Sequence, residues 1–135
     1  MRQIVYTSVR RTLLDDAALI ALRRLAERRN ARLGVTGLLV YDGQRFIQAL
    51  EGEAEALATL MTAILHDARH EAVEIRVNRA IARAEFGDWS MNFRHACNSA
   101  DAGRLVATVK ADVARVSDSH LQAAFIGFAV LGSRR

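Results

Sequence analysis

The sequence predicts an α+β domain whose elements run βαββαββ and close with two further helices. Three observations predict it. Apolar and β-branched residues gather in five short runs bounded by turn residues. Two longer segments between those runs repeat their apolar residues at helical spacing. Asp42-Gly43, a hairpin signal, separates the second run from the third.

Taken in order, residues 3–9 read as the first strand, with Ile4, Tyr6 and Ser8 on one face and Val5, Thr7 and Val9 on the other. Both faces are expected to be buried. Thr12, Asp15 and Asp16 offer a helix start, the acids lying near the positive end of the helix dipole. Ala18, Leu22, Leu25 and Arg29 then recur at helical spacing through residue 31, with Arg23, Arg24, Glu27 and Arg28 on the outer face. Gly34 turns the chain into a second strand at 35–41, and the third strand, 45–51, ends at Gly52. A second helix is expected at 53–68, burying Leu57, Leu60, Met61, Ile64 and Leu65. Strand four is expected at 73–82 and a short strand five at 90–95, entered through Gly87-Asp88-Trp89. Helices over 99–116 and 119–131 complete the chain.

Strand–helix–strand units joined through a central hairpin make the ferredoxin-like, split βαβ arrangement, with two helices on one face of the sheet. The other face needs a cover, and Leu121, Phe125, Phe128 and Leu131 of the final helices are candidates.

The chain has 135 residues, one domain's worth, and 51% hydrophobic with 25% charged residues excludes a disordered chain. The apolar stretch at 123–131 is far short of the ~20 residues that span a bilayer. The opening has no leader-like pattern, so the expectation is a cytoplasmic protein. The single cysteine, Cys97, excludes an internal disulfide. The net charge is +4, and eighteen of the nineteen basic residues are arginine, which raises the prior for nucleic acid or phosphate partners. Those arginines alternate with Asp15, Asp16, Glu27, Asp67 and Glu71, the pattern of a mixed, solvated surface.

Tyr6 and Gln48 stand mid-strand in the first and third strands. Gln48, flanked by Phe46, Ile47, Ala49 and Leu50, needs partners, because an unsatisfied buried polar group costs roughly 1–3 kcal/mol. A phenol across the sheet is one partner; a structural hydrogen bond or an exposed glutamine are the plainer readings. His66 and His70 are spaced i, i+4 around Asp67, which admits a metal only with a third ligand from elsewhere; at a helix C-terminus they are also simply favourable cations. Cys97 near His95 is a weaker nucleophile reading, since nothing orients the pair.

Several short motifs, each bland alone, occur together in order: Tyr6-Thr7-Ser8, Asn30, Thr36-Gly37-Leu38-Leu39-Val40-Tyr41, Phe46-Ile47-Gln48-Ala49-Leu50-Glu51-Gly52, Asp67-Ala68-Arg69-His70 and Phe86-Gly87-Asp88-Trp89-Ser90-Met91. In these motifs the chain resembles the BLUF family, the blue-light sensors that use FAD. The resemblance covers roughly residues 1–95, read as a flavin-binding photosensor domain. Residues 96–135 are read as a helical extension that packs on the sheet or forms an oligomer interface.

The resemblance implies a non-covalent flavin between the first two helices: FAD, with FMN and riboflavin as alternatives. It implies that Tyr6 is the photoactive tyrosine and Gln48 the glutamine bridging it to the flavin. It further implies Asn30, Asp67, Arg69 and His70 as polar pocket residues, and Leu22 and Ile64 as apolar positions against the ring. Trp89 and Met91 match the strand-five positions that repack and carry the signal outward. Such a protein is a sensor and not an enzyme. The expected partners are the flavin, a downstream effector and further copies of the chain, with no output domain expected after residue 95. The alternative is a basic βαββαβ nucleic-acid-binding domain, which would want base-stacking aromatics on an open sheet face, whereas the aromatic content is 6%.

Overall fold

A computed structural model of the chain describes residues 1–87, 92–96 and 99–134. The elements are β1 (Arg2–Arg10), α1 (Asp16–Leu33), β2 (Thr36–Tyr41), β3 (Arg45–Gly52), α2 (Ala54–Leu65), β4 (His70–Ala80), β5 (Asn92–His95), α3 (Ser99–Val113) and α4 (Ser119–Ser133). They build a five-stranded sheet in the order β4-β1-β3-β2-β5. β1 and β3 pair antiparallel at its centre, and β5 lies parallel to β2. This is the ferredoxin-like α+β fold read from the sequence.

Each central strand is buried on both faces, and alternation sorts its side chains into two cores. Ile4, Tyr6, Leu39, Tyr41, Phe46 and Leu50 pack with Leu19 and Ala26 of α1 and with Leu57, Leu60, Met61 and Ile64 of α2. Val5, Leu38, Val40, Ile47 and Ala49 pack with Leu105, Val109 and Val113 of α3 and with Leu121, Phe125, Phe128 and Ala129 of α4. The last two helices therefore cover the face that α1 and α2 leave open.

Helix ends depart from the sequence reading for local reasons. α1 is capped by Asp15, whose Oδ1 accepts from the Ala18 N–H at 2.8 Å, and not by Thr12. Gly34, at φ 67°, takes the left-handed turn that closes this helix. α2 stops at Leu65, not at residue 68, because the Asp67 carboxylate accepts the Arg69 backbone N–H at 2.9 Å and holds a turn there. His70 is consequently the first residue of β4, not part of a helix C-terminus, and β4 begins three residues earlier than expected. α3 stops at Val113, where the Gln122 amide donates to the Val113 and Val116 carbonyls at 3.1 and 2.7 Å.

Two leucines expected in the core are out of it. Leu65, 57% exposed, follows Ile64 and lies off the stripe of Leu57, Leu60, Met61 and Ile64. Leu131, also 57% exposed, is displaced because Gly132 holds the next inward position of α4. A Cβ on Gly132 would stand 2.8 Å from Asp42 Cβ, so the helix end meets the β2–β3 hairpin at glycine distance. Trp89, Met91 and Cys97 lie outside the described residues.

Candidate functional site

Tyr6 and Gln48 are direct cross-strand neighbours on β1 and β3. Both are almost fully buried, and the Tyr6 hydroxyl donates to Gln48 Oε1. Burial pushes the Tyr6 phenol above its ordinary value; the Arg29 guanidinium pulls it back and the Asp67 carboxylate adds to the rise. The phenol is therefore a neutral donor at physiological pH, and Gln48 is held with its carbonyl toward it.

The pair forms the floor of a cleft between α1 and α2 that holds about 390 Å³, counting its open mouth. Leu22 from α1 and Ile64 from α2 line it, as do Asp67 and Arg69 from the turn after α2 and His70 from β4. Of the eight residues expected to hold a cofactor, seven thus line one cleft. The eighth, Asn30, lies on α1 beside the lining residue Arg29. Its side chain is fully buried, yet neither Oδ1 nor Nδ2 has a partner, while its backbone carbonyl accepts the N–H groups of Gly34 and Val35. Arg29 Nε is likewise buried and unpartnered. Unpaired buried polar atoms are costly and rare, so a carboxamide offering both a donor and an acceptor fits a ligand with adjacent N–H and C=O groups on one edge.

The sequence reading missed Ala26, Leu39 and Phe46 as lining residues, and Arg29 as one of them. Their signals were present: Ala26 and Arg29 follow Leu22 by four and seven positions on one helix face, Leu39 is paired with Gln48 across β2–β3, and Phe46 precedes Gln48 by two residues on the same strand face.

The polar rim has defined partners. Arg69 Nη1 donates to Asp67 Oδ2 at 2.8 Å. His70 Nε2 lies 2.6 Å from the Ile64 carbonyl and Nδ1 lies 2.7 Å from Ser8 Oγ. A carbonyl only accepts, so Nε2 carries a proton, and in the neutral ring the Ser8 hydroxyl donates to Nδ1. His66 Nδ1 points to the Thr62 carbonyl at 2.8 Å. The two imidazoles thus turn to separate backbone groups, and no group of three metal-ligating side chains occurs among the described residues.

A cleft with Leu22, Ala26, Leu39, Phe46 and Ile64 in its lining, a buried phenol–amide pair within it and an unsatisfied carboxamide beside a lining residue suit a flat ring with polar edges. The family model described as sensors of blue light using FAD matches residues 1–92. The chain is 36% identical over 77 residues, 57% of its length, to the photoactivated adenylate cyclase subunit beta of Euglena longa, of which the match covers 9%. It is 41% identical over 68 residues, 50% of its length, to the blue light- and temperature-regulated antirepressor BluF of Escherichia coli (strain K12), of which the match covers 17%. The chain therefore spans only a small part of these relatives. Among solved structures, the dark state of BlrB, a BLUF protein, superposes with a TM-score of 0.74 at 26% identity, covering 98% of this chain and 96% of that one.

Proposed function

The chain belongs to the BLUF family of blue-light flavin sensors, and from that premise we propose that Tyr6 and Gln48 are its light-driven switch. The reading rests on one observation: the buried Tyr6–Gln48 hydrogen bond at the floor of the cleft. Leu22 and Ile64 would hold the ring of the flavin, and Asn30, Asp67, Arg69 and His70 its polar edges. FAD is the form proposed, with FMN and riboflavin able to satisfy the same ring contacts. A bound flavin excited by blue light supplies a strong one-electron oxidant.

The chain's own residues do the rest. Tyr6 is the oxidisable side chain facing the cleft, and loss of an electron makes its phenolic proton strongly acidic. Gln48 Oε1 already accepts that proton's hydrogen bond, so the amide is placed to take it and return it. One electron and one proton leave Tyr6 and come back to it; no covalent bond forms, and no cysteine is needed. Gln48 ends with its donor and acceptor differently directed, and the altered bond shifts the absorption to the red.

The protein then acts as a sensor, not as an enzyme, and passes its change to a partner protein or to further copies of itself. No helix among the described residues is long and apolar enough to cross a membrane, and a cytoplasmic location is part of the proposal. The nucleic-acid reading is not favoured, because α3 and α4 cover the sheet face it needs.

Purified protein should carry flavin that denaturation releases into solution. Blue light should give a small red shift that reverses in the dark. Flavin-supplemented protein without flavin absorption bands would contradict the reading.

A further inference from the structure

Gln3 and Glu51 repeat the Tyr6–Gln48 arrangement three residues along the same two strands. Three positions of a strand invert the face, so this second pair points away from the cleft, toward α3 and α4. Both residues are almost completely buried. Gln3 Nε2 donates to Glu51 Oε2 at 3.0 Å. The same carboxylate accepts the backbone N–H of Glu85 at 2.9 Å and of Phe86 at 2.8 Å.

From there two arms converge on one point. The Glu85 carboxylate accepts the Ser117 hydroxyl at 2.6 Å and the Ser117 N–H at 3.0 Å. On the other side, Gln3 Oε1 accepts from Arg79 Nε at 2.9 Å, and Arg79 pairs with Asp118. Asp118 is the N-cap of α4, its Oδ1 accepting from His120 N and Leu121 N. Since Ser117 and Asp118 are neighbours in the chain, Gln3, Glu51, Glu85, Ser117, Asp118 and Arg79 close a ring. The ring fastens the start of α4 to the two strands that carry Tyr6 and Gln48. Phe86, fully buried, adds an edge contact to Phe125 of α4 at 6.3 Å.

We propose that Glu51 is the positioning residue through which the light response reaches α4. The proposal rests on the switch reading above. A rearranged Tyr6–Gln48 bond moves β3 against β1; that movement loosens Gln3–Glu51 and, with it, both arms of the ring. The start of α4 is then released as a unit. A competing path exists, from β5 to α3 through the two hydrogen bonds of Arg94 to Asp112 at 2.8 and 3.2 Å.

The test is hydrogen exchange of the flavin-loaded full chain in darkness and under blue light, in the wild type, Glu51→Gln, Glu85→Gln and Arg94→Gln. In the wild type, light should speed exchange over residues 81–87 and 114–122 by about fivefold or more, the low end of ordinary site-to-site coupling. Glutamine at position 51 keeps one acceptor oxygen and turns an N–H₂ toward the other donors. That variant should keep its red shift, exchange rapidly at 114–122 already in darkness, and show no further change in light. Glu85→Gln, which leaves Glu51 in place, should shrink the response at 114–122 while keeping that at 81–87. Arg94→Gln should respond as the wild type does.

A red shift with an undiminished light response at 114–122 in Glu51→Gln would overturn the proposal. If that variant fails to fold, the same result in Glu85→Gln would overturn it. A response abolished only in Arg94→Gln would assign the path to β5. A wild type without any red shift would instead refute the switch reading, so the two failures are distinguishable.

Discussion

The two faces of the central strands differ in how far their buried polar groups are matched. On the α3–α4 face, the Glu51 carboxylate sits in a core of valine, leucine and phenylalanine with donors on both its oxygens. On the α1–α2 face, the amide of Asn30, next to the cleft-lining Arg29, is unmatched. Among the described residues five buried side-chain polar atoms lack partners: three belong to the cleft-lining Arg29 and its neighbour Asn30, and the others, Thr36 Oγ1 and Arg45 Nε, lie on the α3–α4 face. The unmatched polarity is thus densest beside the cleft, while the largest buried charge on the other face, Glu51, is fully matched. The period-two alternation of β1 and β3 turns Tyr6 and Gln48 toward the cleft and Gln3 and Glu51 toward the opposite face.

That contrast can be challenged by substitution on each side. Phe125 is fully buried in the α3–α4 core, and Phe125→Ala should lower the urea-unfolding free energy by about 3–5 kcal/mol. Asn30→Ala is the opposite case. It removes an unsatisfied polar group from the ligand-free protein, so the apoprotein's urea midpoint should hold or rise, while flavin should bind about tenfold more weakly, the worth of one good hydrogen bond. A large loss of apoprotein stability in Asn30→Ala would break the contrast.

The smallest expected effect is at the start of α4. Asp118→Ala should cost about 1 kcal/mol at neutral pH through the lost cap. The Arg79 hydrogen bond holds the Asp118 carboxyl below its ordinary value, helped by the N–H groups of Leu121 and His120. A depressed folded-state value means that the stabilisation is fully present above the ordinary carboxylate range and fades as the pH falls through the lowered one. The gap between wild type and Asp118→Ala should accordingly close in acid.

Much of this was legible in the sequence, because local rules agree with the fold. The alternation of Ile4, Tyr6 and Ser8 with Val5 and Thr7 placed the two strand faces, and Asp42-Gly43 placed the hairpin. Tyr6, Gln48, Asp67, Arg69 and His70 were legible in short motifs, and all five line the one cleft. Side-chain turn chemistry was harder to read: Asp67 ends α2 early and delivers His70 to a strand. Tertiary spacing was harder still, since Leu131 is excluded from the core by the approach of Gly132 to Asp42. The ring around Glu51 had no sequence signature at all, because its members are separated by up to 115 positions, from Gln3 to Asp118. No local pattern encodes a contact of that range.

The central claim is that the phenol of Tyr6 powers the switch. Tyr6→Phe keeps the ring's volume and removes both the readily oxidised group and the proton that Gln48 accepts. The direct measurement is the light-minus-dark absorption spectrum of flavin-loaded wild type and Tyr6→Phe under the same blue illumination. The account predicts a reversible red shift in the wild type and none in the variant, with flavin bound in both. A normal, reversible shift in Tyr6→Phe would contradict it.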